Sequence, residues 1–164
     1  MQDYLIDRKR LQADMLLPWV MVAIMAVVLA AWVLVCQILG ERVQQPLPET
    51  QREVIRTVLY AIAIATFPLT NLLRHIQLRL NQTMPLSGRA YQKAAKSRYL
   101  LTVIISMSLI QTIGIFGFIM FVLGDSFNTL IIFTVMAALG LFLYRPKWAE
   151  YAQVMAALAG QTDE

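Results

Sequence analysis

Residues 100–123 read LLTVIISMSLIQTIGIFGFIMFVL and contain no charged side chain. A helix needs about 20 mainly apolar residues to cross a hydrocarbon core of about 30 Å, so this stretch predicts a transmembrane helix. Immediately after it, Gly124-Asp125-Ser126 marks a tight turn into a second apolar run, 127–144, and the two predict a helical hairpin. Upstream, the run 16–39 opens on Pro18 and Trp19. Proline suits the first turn of a helix, and tryptophan favours the membrane interface. Asp3, Asp7 and Asp14 precede this run and no small-residue cleavage site follows it, so it reads as a retained anchor and not as a signal peptide. The run 57–73 is shorter and carries Pro68, with Thr66, Thr70 and Asn71 around it. Four spans with short connections occupy almost the whole sequence. They predict an all-α, four-helix transmembrane bundle in a single polytopic domain, 1–164, with a basic loop at 74–99 and a tail at 145–164.

Composition agrees. Of 164 residues, 59% are hydrophobic and only 15% charged, where a soluble domain carries about 25%; mean hydropathy is +0.61. The net charge of +4 is read as topology and not as affinity for nucleic acid, because Lys and Arg mark the cytoplasmic side of membrane proteins. The N-terminal segment holds Arg8, Lys9 and Arg10; the central loop Arg74, Arg79, Arg89, Lys93, Lys96 and Arg98; the tail Arg145 and Lys147. Only Arg42, Arg52 and Arg56 fall on the other side. Both termini and the central loop are therefore expected in the cytoplasm, with the bundle in a bacterial inner membrane.

Two segments outside the spans carry structure of their own. Pro85 and Ser87 resemble a helix start, which predicts a third helix that begins near Gly88 and projects beyond the membrane. Arg89, Lys93 and Lys96 then share one face and could meet anionic lipid head groups, although topology signalling alone accounts for them. In the tail, Trp148, Tyr151, Met155 and Leu158 recur at helical spacing, as in an amphipathic helix lying on the cytoplasmic interface.

In lipid, small residues let helices approach closely and polar side chains link them. On the third span Ile105, Leu109, Ile113, Phe116 and Met120 form one apolar stripe, expected to face lipid. Ser106, Ser108, Gln111, Thr112, Gly114 and Gly117 fall off that stripe and mark the packing side. Comparable seams are Ala23, Ala26, Ala30 and Gln37 on the first span, Ala63, Thr66 and Thr70 on the second, and Thr134 and Ala138 on the fourth. Pro68 predicts a kink, with Thr66 and Thr70 placed to satisfy the freed backbone group.

Chemistry is sparse. No ionisable residue lies deep in a span, and Arg56, Arg74 and Asp125 sit at span ends where they can reach head groups. One histidine, His75, cannot supply paired haem ligands, and one cysteine, Cys36, cannot run dithiol chemistry; it reads as a buried small hydrophobe. The acids are scattered, which offers no metal cluster. No cofactor and no enzymatic activity are expected. Gln111 is the deepest strongly polar group, expected to make an interhelical hydrogen bond, with a polar or cation site shared with Ser108 and Thr112 as the alternative.

Residues 110–119, IQTIGIFGFI, resemble the carboxylate-bearing helix of the rotary-ATPase proteolipid subunits, in which a Glu precedes a Gly- or Ala-containing stretch. The resemblance covers about 15 residues of the chain. It implies shared helix packing, or descent with lost activity, and not a working rotor: the position of the ion-binding Glu holds Gln111, and an amide cannot bind and release a proton. The layout also resembles small four-span inner-membrane proteins of bacteria. The expectation is a non-catalytic membrane protein that packs with other membrane subunits or with itself. Alternatives are a proteolipid-like channel past Gln111, or a protein that binds anionic lipid.

Overall fold

The computed structural model describes residues 2–83 and 91–160, and the side chains of 13–40, 42–83 and 92–159. The expected helix start at Pro85, Ser87 and Gly88 lies outside them, as do Arg89 and the side chains of Arg8, Lys9 and Arg10. Five helices follow in order: α1 (Gln2–Leu39), α2 (Glu49–Thr83), α3 (Tyr91–Val122), α4 (Phe127–Leu143) and α5 (Trp148–Gly160), with one 3₁₀ turn at Gly40–Val43. Three of them, α1, α2 and α3, are long and apolar enough to cross a membrane, and a fourth span is made if α4 and α5 are taken as one bent unit.

Successive long helices run antiparallel. At one end, the connection from α1 to α2 lies on the hairpin between α3 and α4: Gln45 N donates to the Val122 carbonyl at 2.6 Å, and Leu47 N to that of Leu123 at 3.1 Å. The loop thereby satisfies carbonyls that the end of α3 would otherwise leave open. Gly124 turns the chain there with φ of 85°, and a Cβ at this position would stand 2.7 Å from Cα of Pro46. Glycine is required for both the conformation and the close approach.

α3 is the hub. It packs on α1, α2, α4 and α5, and Tyr99, Val103, Met107, Ile110, Ile113 and Met120 along it are at most 1% exposed. This corrects the expected lipid stripe: Ile113 and Met120 are fully buried, and the outward face carries Leu101, Ser108, Ile115 and Ile119 instead. The physical reason is that a helix surrounded by protein buries apolar and small faces alike, so apolarity alone cannot separate lipid from core in a bilayer. Gly114 and Gly117 lie on the packing side as expected; Gly114 is covered by Leu29 of α1, and Gly117 by Phe133 and Leu130 of α4.

The other seams divide. Ala63, Thr66 and Thr70 of α2 are buried as expected. On α1, however, Ala23, Ala26, Ala30 and Gln37 are exposed, and the helix packs through Met15, Pro18, Leu29 and Cys36. On α4, Ala138 is exposed and Thr134 half-buried, while Leu130, Phe133, Ala137 and Gly140 face inward. On α1 larger side chains make the interface, with Leu29 seated over Gly114 of α3, whereas α4 sets Ala137 and Gly140 beside Leu130 and Phe133, and Gly140 lies against Ile110 of α3.

α2 runs as one helix through Pro68. Thr66 Oγ1 donates to the Ile62 carbonyl at 2.8 Å, whereas the carbonyl that a proline at 68 deprives of its donor is that of Ile64. Thr70 Oγ1 is buried with no partner. Neither threonine therefore performs the expected repair. α5 also departs from expectation: its apolar face, Tyr151, Val154 and Leu158, is buried against the ends of α2 and α3. It bends 44° from α4 and docks on the bundle, with only Trp148 of the expected face exposed.

Candidate functional site

Gln111 is 8% exposed, and neither its amide nitrogen nor its amide oxygen has a hydrogen-bond partner. The expected interhelical hydrogen bond is absent among the described residues. Nor does the polar trio converge: Ser108 is exposed, and Thr112 Oγ1 is satisfied by the Leu109 carbonyl at 2.6 Å. Near the same seam, Trp32 of α1 lies against Phe118, two turns beyond Gln111 (centroids 4.5 Å apart), and its Nε1 is also buried without a partner. A buried amide left unpaired costs about 1–3 kcal/mol, and exchanging it for an apolar isostere relieves that cost. Gln111→Leu is accordingly expected to raise resistance to unfolding in a denaturing-detergent titration. A loss of stability would mean that the amide has a partner in the native membrane.

The densest polar chemistry lies at the end where α1 begins and α2 and α4 finish. Arg74, nine residues before the C-terminal end of α2, is 5% exposed. Its guanidinium donates to the Tyr144 carbonyl at 2.7 Å, the Arg145 carbonyl at 3.4 Å and Glu150 Oε2 at 2.6 Å. One side chain thus caps the C-terminus of α4, where open carbonyls concentrate negative charge, and holds the first turn of α5. Tyr144 answers from the other side, its hydroxyl donating to the Phe67 carbonyl at 2.7 Å. Tyr99 Oη accepts from Lys147 N at 2.9 Å and lies 3.1 Å from the Lys147 carbonyl, which binds the elbow between α4 and α5 to α3.

A second cluster ties α1 into the same layer. Lys96 Nζ reaches Asp14 Oδ1 at 2.7 Å, and the Tyr151 hydroxyl donates to Asp14 Oδ2 at 3.1 Å. Lys96 is therefore engaged by an acid, whereas Lys93 is exposed. At the opposite end Arg56 pairs with Asp125 at 3.3 Å, and Arg52 Nη1 donates to the Gly124 carbonyl at 2.8 Å. Asp125, 5% exposed, also accepts from Ser126 N at 2.8 Å, beside the N-terminus of α4, where a negative charge is favoured.

Arg74 and Asp125 were expected to reach head groups, and both are instead buried and bonded within the protein. Long-range partners, 76 positions apart for Arg74 and Glu150 and 69 for Arg56 and Asp125, are not visible as a local motif. A usable signal did exist: each opposite-charge pair falls on the same side of the bilayer in the expected topology. Cys36 is buried, as expected, and His75 is exposed. Among the described residues no three His, Cys, Asp or Glu side chains group as a metal site.

Cavities open on this framework among the described residues. An apolar one of about 640 Å³ runs along α1 past Trp19 and Trp148. Another of about 680 Å³ lies at the far end near Cys36 and Asp125. A further one, of about 420 Å³, sits between α2 and the elbow that follows α4. No protein-family model matches the chain, and no curated protein and no solved structure matches it either.

Proposed function

We propose that the protein is a non-catalytic integral membrane protein that packs as an accessory subunit, or as a homo-oligomer, in a bacterial cytoplasmic membrane, with both termini in the cytoplasm. The observation that carries this reading is the outward face of α1. Ala23, Ala26 and Ala30 are all exposed, and small residues at this spacing let a second transmembrane helix approach closely. The intramolecular contacts of α1 use the large residues of its other face, so the alanine face is available to another helix. The orientation is supported by charge. The described Lys and Arg residues divide between the ends of the bundle, Arg74, Arg79, Lys93, Lys96, Arg98, Arg145 and Lys147 against Arg42, Arg52 and Arg56, and the richer end belongs in the cytoplasm.

Cysteine substitution tests both parts. With Cys36→Ala as background, Ala30→Cys in native membranes is expected to cross-link to a neighbouring helix, and Ile24→Cys, on the flank of that face, much less. A species of twice the chain mass identifies a second copy, and a discrete heavier adduct identifies another subunit. Equal or absent cross-linking at both positions would remove the reading. A cysteine at Lys93 should react only with reagent that enters the cytoplasm.

One observation favours a second reading, a proteolipid-like subunit that passes a cation or small solute at Gln111: the unpartnered amide of that residue. Loss of transport in a Gln111→Leu protein that still assembles would move the assignment to it.

A further inference from the structure

We propose that the cavity between α2 and the α4–α5 elbow binds one membrane phospholipid, with the phosphate at Lys147 and Asn71 and the glycerol end against Phe67, Pro68 and Leu143. The cavity of about 420 Å³ lies in the size range of small-ligand sites. Its lining is split in a way that matches a lipid at the bilayer boundary. Phe67, Pro68 and Leu143 form the apolar part, and Asn71, Arg74, Lys147 and Glu150 the polar part. The surface that continues from the apolar part toward the middle of both helices is itself apolar, with Ile64 of α2 and Ile132, Val135 and Leu139 of α4 exposed. Acyl chains can therefore continue from the cavity into the bilayer without crossing polar surface.

Charge selects the head group's phosphate. Arg74 and Glu150 neutralise each other at 2.6 Å, and the guanidinium is already filled by the Tyr144 and Arg145 carbonyls. The charge left in the cavity is that of Lys147, whose side chain is exposed, as is that of Asn71. The ligand is thus an anion approached by one ammonium and one amide, while the buried pair keeps the wall rigid. Pro68 contributes shape: it has no N–H, and its ring lines the cavity from the middle of α2. This site is separate from the Arg89, Lys93 and Lys96 face, where Lys96 is occupied by Asp14. It does not depend on the oligomeric reading above.

The test is native mass spectrometry of the full chain in mild detergent, titrated with phosphatidylglycerol. Wild type is expected to retain one lipid per chain. Each basic residue near a membrane surface is worth about 1 kcal/mol, so reversing one charge predicts roughly thirtyfold weaker retention for Lys147→Glu. Lys147→Gln should lose roughly fivefold, and Asn71→Leu should also weaken retention; Arg79→Glu, exposed at the same end but outside the cavity, should match wild type. Unchanged retention in Lys147→Glu, or an equal loss in Arg79→Glu, would overturn the proposal. Soluble glycerol 3-phosphate is expected not to displace the lipid at millimolar concentration. Displacement would mean that the phosphate site serves a soluble ligand, and would overturn the lipid assignment. Thermal unfolding of each variant separates loss of the site from loss of the fold.

Discussion

Arg74→Leu is expected to remove about 3–5 kcal/mol from the folded state, the largest effect expected of a single charge change among the described residues. The side chain is 5% exposed and serves three acceptors on two elements. Its removal leaves Glu150 without its cation and the last carbonyls of α4 without their cap. Breaking a buried pair from one side carries that magnitude because the remaining charge stays uncompensated. The failure should be local before it is global. α5 depends on this contact and on the Tyr99 and Asp14 hydrogen bonds, so limited proteolysis should release the segment beyond Pro146 before the spans unfold. Arg74→Lys keeps the charge but loses the planar fork that reaches two carbonyls and a carboxylate at once, and should fall between leucine and wild type. Arg145→Ala is the control: that side chain is exposed and stacks on Phe142 at 4.6 Å, and should stay near wild type. Equal stability of Arg74→Leu and wild type in a denaturing-detergent titration would mean that the elbow is held by packing alone.

Gly117→Leu is expected to disrupt the bundle itself. A Cβ at this position would stand 2.8 Å from Cβ of Phe133 and 3.2 Å from the Leu130 carbonyl oxygen. Neither atom can swing away, since one is fixed to the α4 backbone and the other belongs to it. The whole of α4 must move, and with it the stack of Phe133 on Tyr60, whose centroids are 4.5 Å apart. Overpacking of this kind costs about 1–3 kcal/mol and more where backbone must shift. Gly114→Leu makes the informative contrast. The obstruction there is the terminal methyl of Leu29, which can rotate, so the loss should be smaller. The reverse order of stability would place α4 farther from α3 than described here.

The two glycines also show what the sequence could convey. They were legible as packing positions because smallness is a geometric property that keeps its meaning in lipid. Ala63, Thr66 and Thr70 were legible for the same reason. Apolarity was not. In water it separates inside from outside, but in a bilayer both are hydrocarbon, and Ile113 and Met120 were assigned outward although both are fully buried. The alanine seam of α1 failed in the opposite sense: its residues are small, yet Ala23, Ala26 and Ala30 are exposed and take no part in the packing within the chain. Arg74 shows the third limit. Its role comes from Glu150 and from the end of α4, and only the closed bundle brings these to it. Of the polar trio Ser108, Gln111 and Thr112, Gln111 alone is buried, while Ser108 is exposed and Thr112 half-buried. The hairpin turn at Gly124, by contrast, could be read directly, because a glycine between two apolar runs is a local requirement of the backbone.

The account rests on α1 presenting its alanine face to another transmembrane helix. The most direct measurement is the native mass of the full chain, extracted from its own membrane in mild detergent, beside an Ala26→Leu/Ala30→Leu variant. The prediction is a discrete species larger than the monomer of 18.6 kDa, of fixed stoichiometry, which the double variant reduces to monomer while its helical content and unfolding midpoint stay unchanged. A wild-type protein that is monomeric under these conditions, or a larger species indifferent to the two leucines, would contradict it.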